Sequence, residues 1–238
     1  MLQIDIWSDY VCPFCYIGKR ELENAIIETG LKDQVKVAFR AFELNPDSPT
    51  EPIIGMLEDL SERKGQPLAN IKQMVQNIVD RAKRIGLDYR FDNLMAQNTR
   101  SAHRLAKYAK EVGKAADYNE RIFHAVFTES KFLPDANQLI ELATDIGLDR
   151  DKVSEIIEDR EAYSQDVEQD IELARQLQIS GVPFFVINNK YALSGAQTKA
   201  DFVNALEEIA REEGITLKPK LKKLGAETNS CGIDGCDI

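Results

Sequence analysis

Strand-forming sequence is confined to the two ends of this 238-residue chain, and the pattern between them is helical. At the front, Leu2-Gln3-Ile4-Asp5-Ile6-Trp7-Ser8 is an apolar run, Ile17, Leu22, Ala25 and Ile26 form a helical stripe closed by Gly30, and Val35, Val37 and Phe39 alternate. A strand, helix and strand of these lengths favour a parallel pair. At the back, Pro183-Phe184-Phe185-Val186-Ile187 turns through Asn188-Asn189-Lys190 into Tyr191-Ala192-Leu193-Ser194, an antiparallel hairpin. A helix over 199–212 follows, with Phe202, Val203, Leu206, Ile209 and Ala210 inward.

From about 53 to 178 apolar residues recur at helical spacing: Ile71, Val75, Ile78, Val79 and Ala82; Ala102, Leu105, Ala106 and Ala109; Ile122, Phe123, Val126 and Phe127; Leu139, Ile140, Leu142, Ala143 and Ile146. Asp135, with Gln138 three residues on, reads as a helix start and Gly147 as a stop. Tyr163, Val167, Ile171, Ala174 and Leu177 mark a last helix, and no repeat period is evident, so the block reads as an irregular bundle. The prediction is an α/β chain in which residues 1–52 and 179–214 form one discontinuous domain, 53–178 an inserted all-helical domain, and 215–238 a flexible tail. The proline-rich stretch from Glu43 to Pro52 reads as an exposed connection.

Composition narrows the function. A hydrophobic fraction of 43% supports a real core. Lys+Arg 30 against Asp+Glu 40, a net charge of -10, speaks against a nucleic-acid partner. No apolar run approaches the roughly 20 residues that span a bilayer, and the N-terminus has no basic n-region. The expectation is a cytoplasmic protein with no membrane partner.

Four cysteines, in the two close pairs Cys12/Cys15 and Cys231/Cys236, are too few for a disulfide scaffold and suggest redox cycling or metal. Cys12-Pro13-Phe14-Cys15 falls where the first strand gives way to the first helix. There the unpaired N–H groups and positive end of the helix point at the first sulfur, which makes Cys12 the expected nucleophile and Cys15 the resolving thiol. In the reducing direction Cys12 attacks a substrate disulfide and Cys15 expels the product; in the oxidising direction a substrate thiolate attacks Cys12 of the Cys12–Cys15 disulfide. The competing readings of this pair are a buried structural pair or half of a zinc site.

Removing the helical block leaves β-α-β then β-β-α, the order of a thioredoxin-like domain interrupted in its middle. The chain resembles the DsbA-type branch of that superfamily and, within it, the FrnE-like cytoplasmic oxidoreductases. The segments that carry the match run from Asp9 through Cys12-Pro13-Phe14-Cys15 to Lys19, and include Phe42-Glu43-Leu44, Gly181-Val182-Pro183-Phe184-Phe185 and Ser194-Gly195-Ala196-Gln197.

The resemblance implies a thiol-disulfide oxidoreductase. It implies a cis peptide before Pro183 beside the active-site cysteines, with Val182 offering backbone hydrogen bonds to an extended substrate. Pro13, Phe14, Val182 and Pro183 are thus the expected groove residues. The strongly oxidising members are similar but place a histidine where this chain has Phe14, so a less oxidising couple is expected. FrnE-like proteins are also similar in having a second cysteine pair near the C-terminus, which implies electron exchange between Cys231/Cys236 and the first pair. Incidental thiols, or metal shared with Cys12 and Cys15, are the alternatives for that second pair.

No cofactor beyond a redox-active disulfide is expected and no resident metal, with glutathione admissible as co-substrate. The expected partners are protein or low-molecular-weight thiol and disulfide substrates and a recycling redox partner. Two other functions compete. One is a glutathione-dependent isomerase or transferase of the 2-hydroxychromene-2-carboxylate isomerase or kappa-class type, weakened by the intact Cys12/Cys15 pair. The other is a non-catalytic client-binding protein. His103 and His124 read as packed or capped helix residues, with His103 a candidate to face the cleft, and Trp7 as core or near-site packing.

Overall fold

The computed structural model describes residues 1–217 and the backbone of 231–232 and 235–236. Strand β1 (Leu2–Ser8) pairs in parallel with β2 (Val35–Ala41), in a register running from Leu2 opposite Val35 to Ser8 opposite Ala41. Helix α1 (Pro13–Thr29) joins them. Pro13 sits at its start, where a missing N–H leaves no intrahelical bond unmade.

The helical block comprises α2 (Met56–Lys64), α3 (Leu68–Arg84), α4 (Arg100–Glu111), α5 (Ala115–Phe127), α6 (Ala136–Asp145), α7 (Arg150–Glu158) and α8 (Ser164–Gln176). As expected, Asp135 caps α6, accepting from the N–H groups of Asn137 and Gln138. The chain then returns as β3 (Phe184–Ile187), β4 (Tyr191–Ser194) and α9 (Lys199–Glu212), the last opened by a capping box between Thr198 and Asp201. Asn188 at φ 52° and Asn189 at φ 53° make the hairpin turn, which needs two left-handed residues. Strand order is β2-β1-β3-β4, with β3 antiparallel to both neighbours.

The result is the mixed α/β thioredoxin-like architecture with a helical insertion. One face of the sheet buries Ile4, Ile6, Phe185 and Ile187 against Leu22 and Ala25 of α1 and Phe202 and Leu206 of α9. The other face packs Trp7 and Val186 on Ala174 of α8 and Ile179. A buried acid ties this second face together. The carboxylate of Asp170 on α8 meets Arg40 of β2 at 3.1 Å and the Lys107 ammonium of α4, and accepts from the Ala41 N–H at 2.8 Å. Its backbone carbonyl accepts from Trp7 Nε1 at 2.9 Å.

The structure departs from the sequence reading in several places. Residues 85–99 carry no helix. Gly86, at φ 80°, ends the helical path, and the segment is held instead by long-range bonds from the Arg90 N–H to the Phe127 carbonyl and from the Ala96 N–H to the Ile54 carbonyl. In α8 the expected apolar stripe is displaced: Leu177 is 48% exposed, whereas Asp170 is 2% exposed because its ion pairs compensate its burial. The proline-rich connection is tied down rather than simply exposed, since the Leu44 N–H bonds Asp9 Oδ2 and Asn98 bonds the carbonyls of Pro46 and Pro49. Ile215 and Leu217 pack, partly buried, on the α1/α9 core. The remainder of the expected tail lies outside the described residues, apart from a short ribbon, β5 (Cys231–Gly232) with β6 (Gly235–Cys236), whose backbone register sets Cys231 opposite Cys236.

Candidate active site

Cys12 is the N-cap residue of α1, in extended conformation at φ -91° and ψ 109°, and no acidic residue in the first turn offsets the helix's positive end. The turn is fixed by the Cys12 N–H to the Asp9 carbonyl and the Cys15 N–H to the Cys12 carbonyl. Both thiols are free. Cys12 is 4% and Cys15 1% exposed, so Cys15 is the inner of the two. Burial pushes the Cys15 thiol well up from its ordinary range, and neighbouring Cys12 adds to that.

The Val182–Pro183 peptide is cis, as the resemblance implied. The Val182 carbonyl stands 3.5 Å from Cys12 Sγ, whose thiol donates to it. Gly18 of α1 permits this approach: a Cβ there would stand 3.2 Å from Pro183 Cγ and 3.1 Å from Phe185 Cζ. Ala196 and Gln197, from another of the segments that carry the resemblance, offer their carbonyls to Arg81 of α3, and the Gly195 N–H bonds the Pro183 carbonyl. Of the expected groove residues, Pro13, Phe14 and Val182 line the groove with Cys12, whereas Pro183 is buried behind Val182, against Gly18 of α1, and does not line it; the side chains of Cys231 and Cys236 lie outside the described residues.

In front of Cys12 opens a groove of about 800 Å³, within the range of small-molecule sites. Val11, Cys12, Pro13, Phe14 and Val182 form one wall, and Met56, Leu60, Met74, Ile78 and Phe91 from the helical block form the facing one. Phe14 is 38% exposed at its edge. Arg63, Lys64 and Arg81 also line it, with Asp59 bonded to Arg63.

Sequence reasoning missed this facing wall. Tyr89 lies in the stretch without helical pattern, yet its hydroxyl donates to the Pro13 carbonyl at 2.7 Å and pins the peptide between the two cysteines. Tyr16, one residue past Cys15, stacks on Phe123 and donates to Glu120 of α5 at 2.6 Å. Glu120 also takes Lys19, and Arg20 at 2.7 Å. Burial alone would raise the Glu120 carboxyl, but Lys19, Tyr16 and Arg20 hold it below its ordinary value. The signal for these links was the α1 sequence itself, Tyr16-Ile17-Gly18-Lys19-Arg20, in which polar and aromatic side chains sit where the helix meets the block.

The histidines are elsewhere. His124 is exposed and bonds Glu129. His103 is buried, but it lines a cavity beside β2 and not the groove at Cys12. Among the described residues no cluster of three or more metal-ligating side chains occurs.

Comparison with known proteins agrees with this fold. Over 214 residues the chain is 32% identical to protein YwbO of Bacillus subtilis, covering 89% of this chain and 99% of that one. The crystal structure of a probable DsbA oxidoreductase from Streptomyces coelicolor superposes with a TM-score of 0.85 at 33% identity, covering 100% of this chain and 99% of that chain. A cytosolic disulfide reductase, DsbM from Pseudomonas aeruginosa, solved with GSH, shares the fold at TM-score 0.63 and 17% identity, covering 88% of this chain and 99% of that one. The family model described as the DSBA-like thioredoxin domain matches residues 3–207, and the chain belongs to that family.

Proposed function

We propose that the protein is a thiol-disulfide oxidoreductase in which Cys12 is the nucleophile and Cys15 the resolving thiol. The observation that carries this reading is the setting of the pair: Cys12 Sγ stands at the groove, 3.5 Å from the carbonyl of Val182, with Cys15 buried behind it. In the reducing direction the Cys12 thiolate attacks one sulfur of a substrate disulfide, and the S–S electron pair leaves with the other sulfur as a thiolate. Cys15 then loses its proton and attacks Cys12, releasing the second substrate thiol and leaving a Cys12–Cys15 disulfide. Two electrons have passed to the substrate, so a recycling thiol partner must return them. Val182, Pro13 and Phe14 hold the substrate beside the sulfur, and Pro183 fixes Val182 from behind.

The finer reading is a FrnE-like enzyme acting in the cytoplasm on protein or low-molecular-weight disulfides, with Cys231/Cys236 passing electrons to the first pair. It is supported by the segments that carry the resemblance and by the backbone register that sets Cys231 opposite Cys236. The absence of a membrane-crossing helix among the described residues is compatible with it. Glutathione is proposed as co-substrate, which the size of the groove would admit. Mapping disulfides by mass spectrometry after stepwise oxidation tests the relay, and finding neither a Cys231–Cys236 nor a tail-to-Cys12 linkage rejects it.

The test of the core assignment is reduction of insulin and of a glutathione mixed disulfide by wild type and by Cys12→Ser. Turnover in the wild type, lost in the variant, is expected. Equal activity in the two removes Cys12 from the chemistry.

A further inference from the structure

Resolution asks a buried thiol to ionise. Cys15 is 1% exposed, and it must lose its proton before it attacks Cys12. Burial pushes its thiol up most and the Cys12 sulfur adds to that, while the Ser8 hydroxyl and the Asp9 N–H pull it back. None of the groups acting on it is a cation. Tyr89 is also close to both sulfurs, which push its hydroxyl up, but that hydroxyl gives its proton to the Pro13 carbonyl at 2.7 Å. The Asp9 carboxylate is engaged elsewhere, with Oδ2 accepting from the Leu44 N–H at 2.7 Å and Oδ1 lying 3.5 Å from His103 Nε2.

The position of Ser8 follows from strand β1. Ile4 and Ile6 turn to α1 and Trp7 turns to α8, so alternation puts Ser8 on the α1 side, where the first turn carries Cys15. Ser8 is 4% exposed, and with both thiols reduced its Oγ makes no hydrogen bond among the described residues. A buried hydroxyl without a partner is destabilising. Here the partner arises during turnover, when a negative sulfur forms on Cys15.

We propose that Ser8 is a catalytic residue of the resolving step, its hydroxyl donating a hydrogen bond to the Cys15 sulfur as that sulfur becomes a thiolate and attacks Cys12. The proposal rests on the assignment of Cys15 as the resolving thiol. Cys15 gives its proton to water and the Cys15–Cys12 bond forms. The bond from Cys12 to the substrate sulfur breaks, and its electron pair leaves with the substrate as a thiolate, which takes up a proton. A charge-assisted bond from the hydroxyl, joined by the Asp9 N–H, stabilises the anion in a place shielded from water.

Rapid mixing of the reduced protein with excess glutathione disulfide, followed by acid quenching and mass spectrometry, separates the two steps. The glutathione adduct on Cys12 appears in the first and decays to the Cys12–Cys15 disulfide in the second. Ser8 does not line the groove and its hydroxyl has no other hydrogen bond, so Ser8→Ala should fold and take up substrate as wild type does. Loss of one donor to a charged sulfur should move the pH dependence of the decay upward by about one unit or more. Each unit leaves a tenth of the thiolate, partly offset by its greater nucleophilicity, so decay at pH 7 should be about threefold or more slower. The adduct should appear at the same rate in Cys15→Ser with and without Ser8→Ala. Decay in Ser8→Ala at the wild-type rate and pH profile, or equal slowing of both steps, overturns the proposal. Absence of any Cys12 adduct in Cys15→Ser alone overturns the thiol assignment itself, and the role of Ser8 with it.

Discussion

Cys12 Sγ and the carbonyl oxygen of Val182 lie 3.5 Å apart although 170 positions separate them in the chain. The contact depends on how closely α1 can lie against the turn before β3, and Gly18 sets that distance. A methyl group there meets the ring of Pro183 at 3.2 Å and that of Phe185 at 3.1 Å, tighter than ordinary van der Waals contact. Phe185 is fully buried against Phe202, so it has little room to yield.

Gly18→Ala should therefore push Pro183 outward and with it displace the Val182 carbonyl from the sulfur. The expected outcome is a drop in kcat/KM for thiol exchange of about tenfold, with a stability loss of roughly 1–3 kcal/mol from overpacking. Steady-state kinetics together with urea denaturation check this. A variant with wild-type kcat/KM would show that the spacing between α1 and Pro183 does not govern the reaction.

Phe14 sits at the rim of the groove and brings no charge to the sulfur beside it. Phe14→His adds a group that favours the thiolate, which stabilises the reduced form and makes the couple more oxidising. A rise on the order of 30 mV, equivalent to about 1.4 kcal/mol for a two-electron couple, is expected in a titration against glutathione. An unchanged potential would show that the intervening dipeptide does not tune this pair.

The link between α1 and the helical block has its own pH signature. Glu120 is held below its ordinary value because Lys19, Tyr16 and Arg20 outweigh burial. A carboxyl with a depressed folded value contributes stability that is present above its unfolded value, about 4.3, and lost as pH falls through the lower folded value. Its side chain is 38% exposed, so screening limits the contribution to about 1 kcal/mol or less. Urea midpoints of wild type and Glu120→Gln should differ by a constant amount above about pH 5 and converge below about pH 4. Curves that run parallel down to pH 3 contradict the assignment.

How much of this was legible in the sequence depended on whether the signal was local. The two strand-rich ends declare themselves through alternation and through Asn188-Asn189, whose side chains tolerate the left-handed turn. Cys12 and Cys15 stand out in the sequence because a C-x-x-C at a strand-to-helix junction is a short-range pattern, whereas Pro183 is singled out through the resemblance. The groove wall facing them does not stand out, because nothing local in the sequence marks Met56, Met74 and Phe91 until the insertion folds over the cysteines. Tyr89 was invisible for a related reason. Its role is one hydrogen bond to the Pro13 carbonyl, made across 76 positions by a residue in a segment with no periodicity. Asp170 shows the same limit from the other side, since a carboxylate in a helical stripe reads as solvated until Arg40, Lys107 and the Ala41 N–H appear around it. Asp9 and Leu44 stood in two separate segments carrying the resemblance, and a direct hydrogen bond from the Leu44 N–H to Asp9 Oδ2 joins them.

The central claim is that Cys12 attacks and Cys15 resolves, and removing the resolving thiol isolates the first step. Cys15→Ser, incubated with glutathione disulfide, digested and mapped by mass spectrometry, should accumulate a stable glutathione mixed disulfide on Cys12, while the wild type under the same conditions passes on to the Cys12–Cys15 disulfide. A Cys15→Ser protein that carries no adduct on Cys12 would contradict the account.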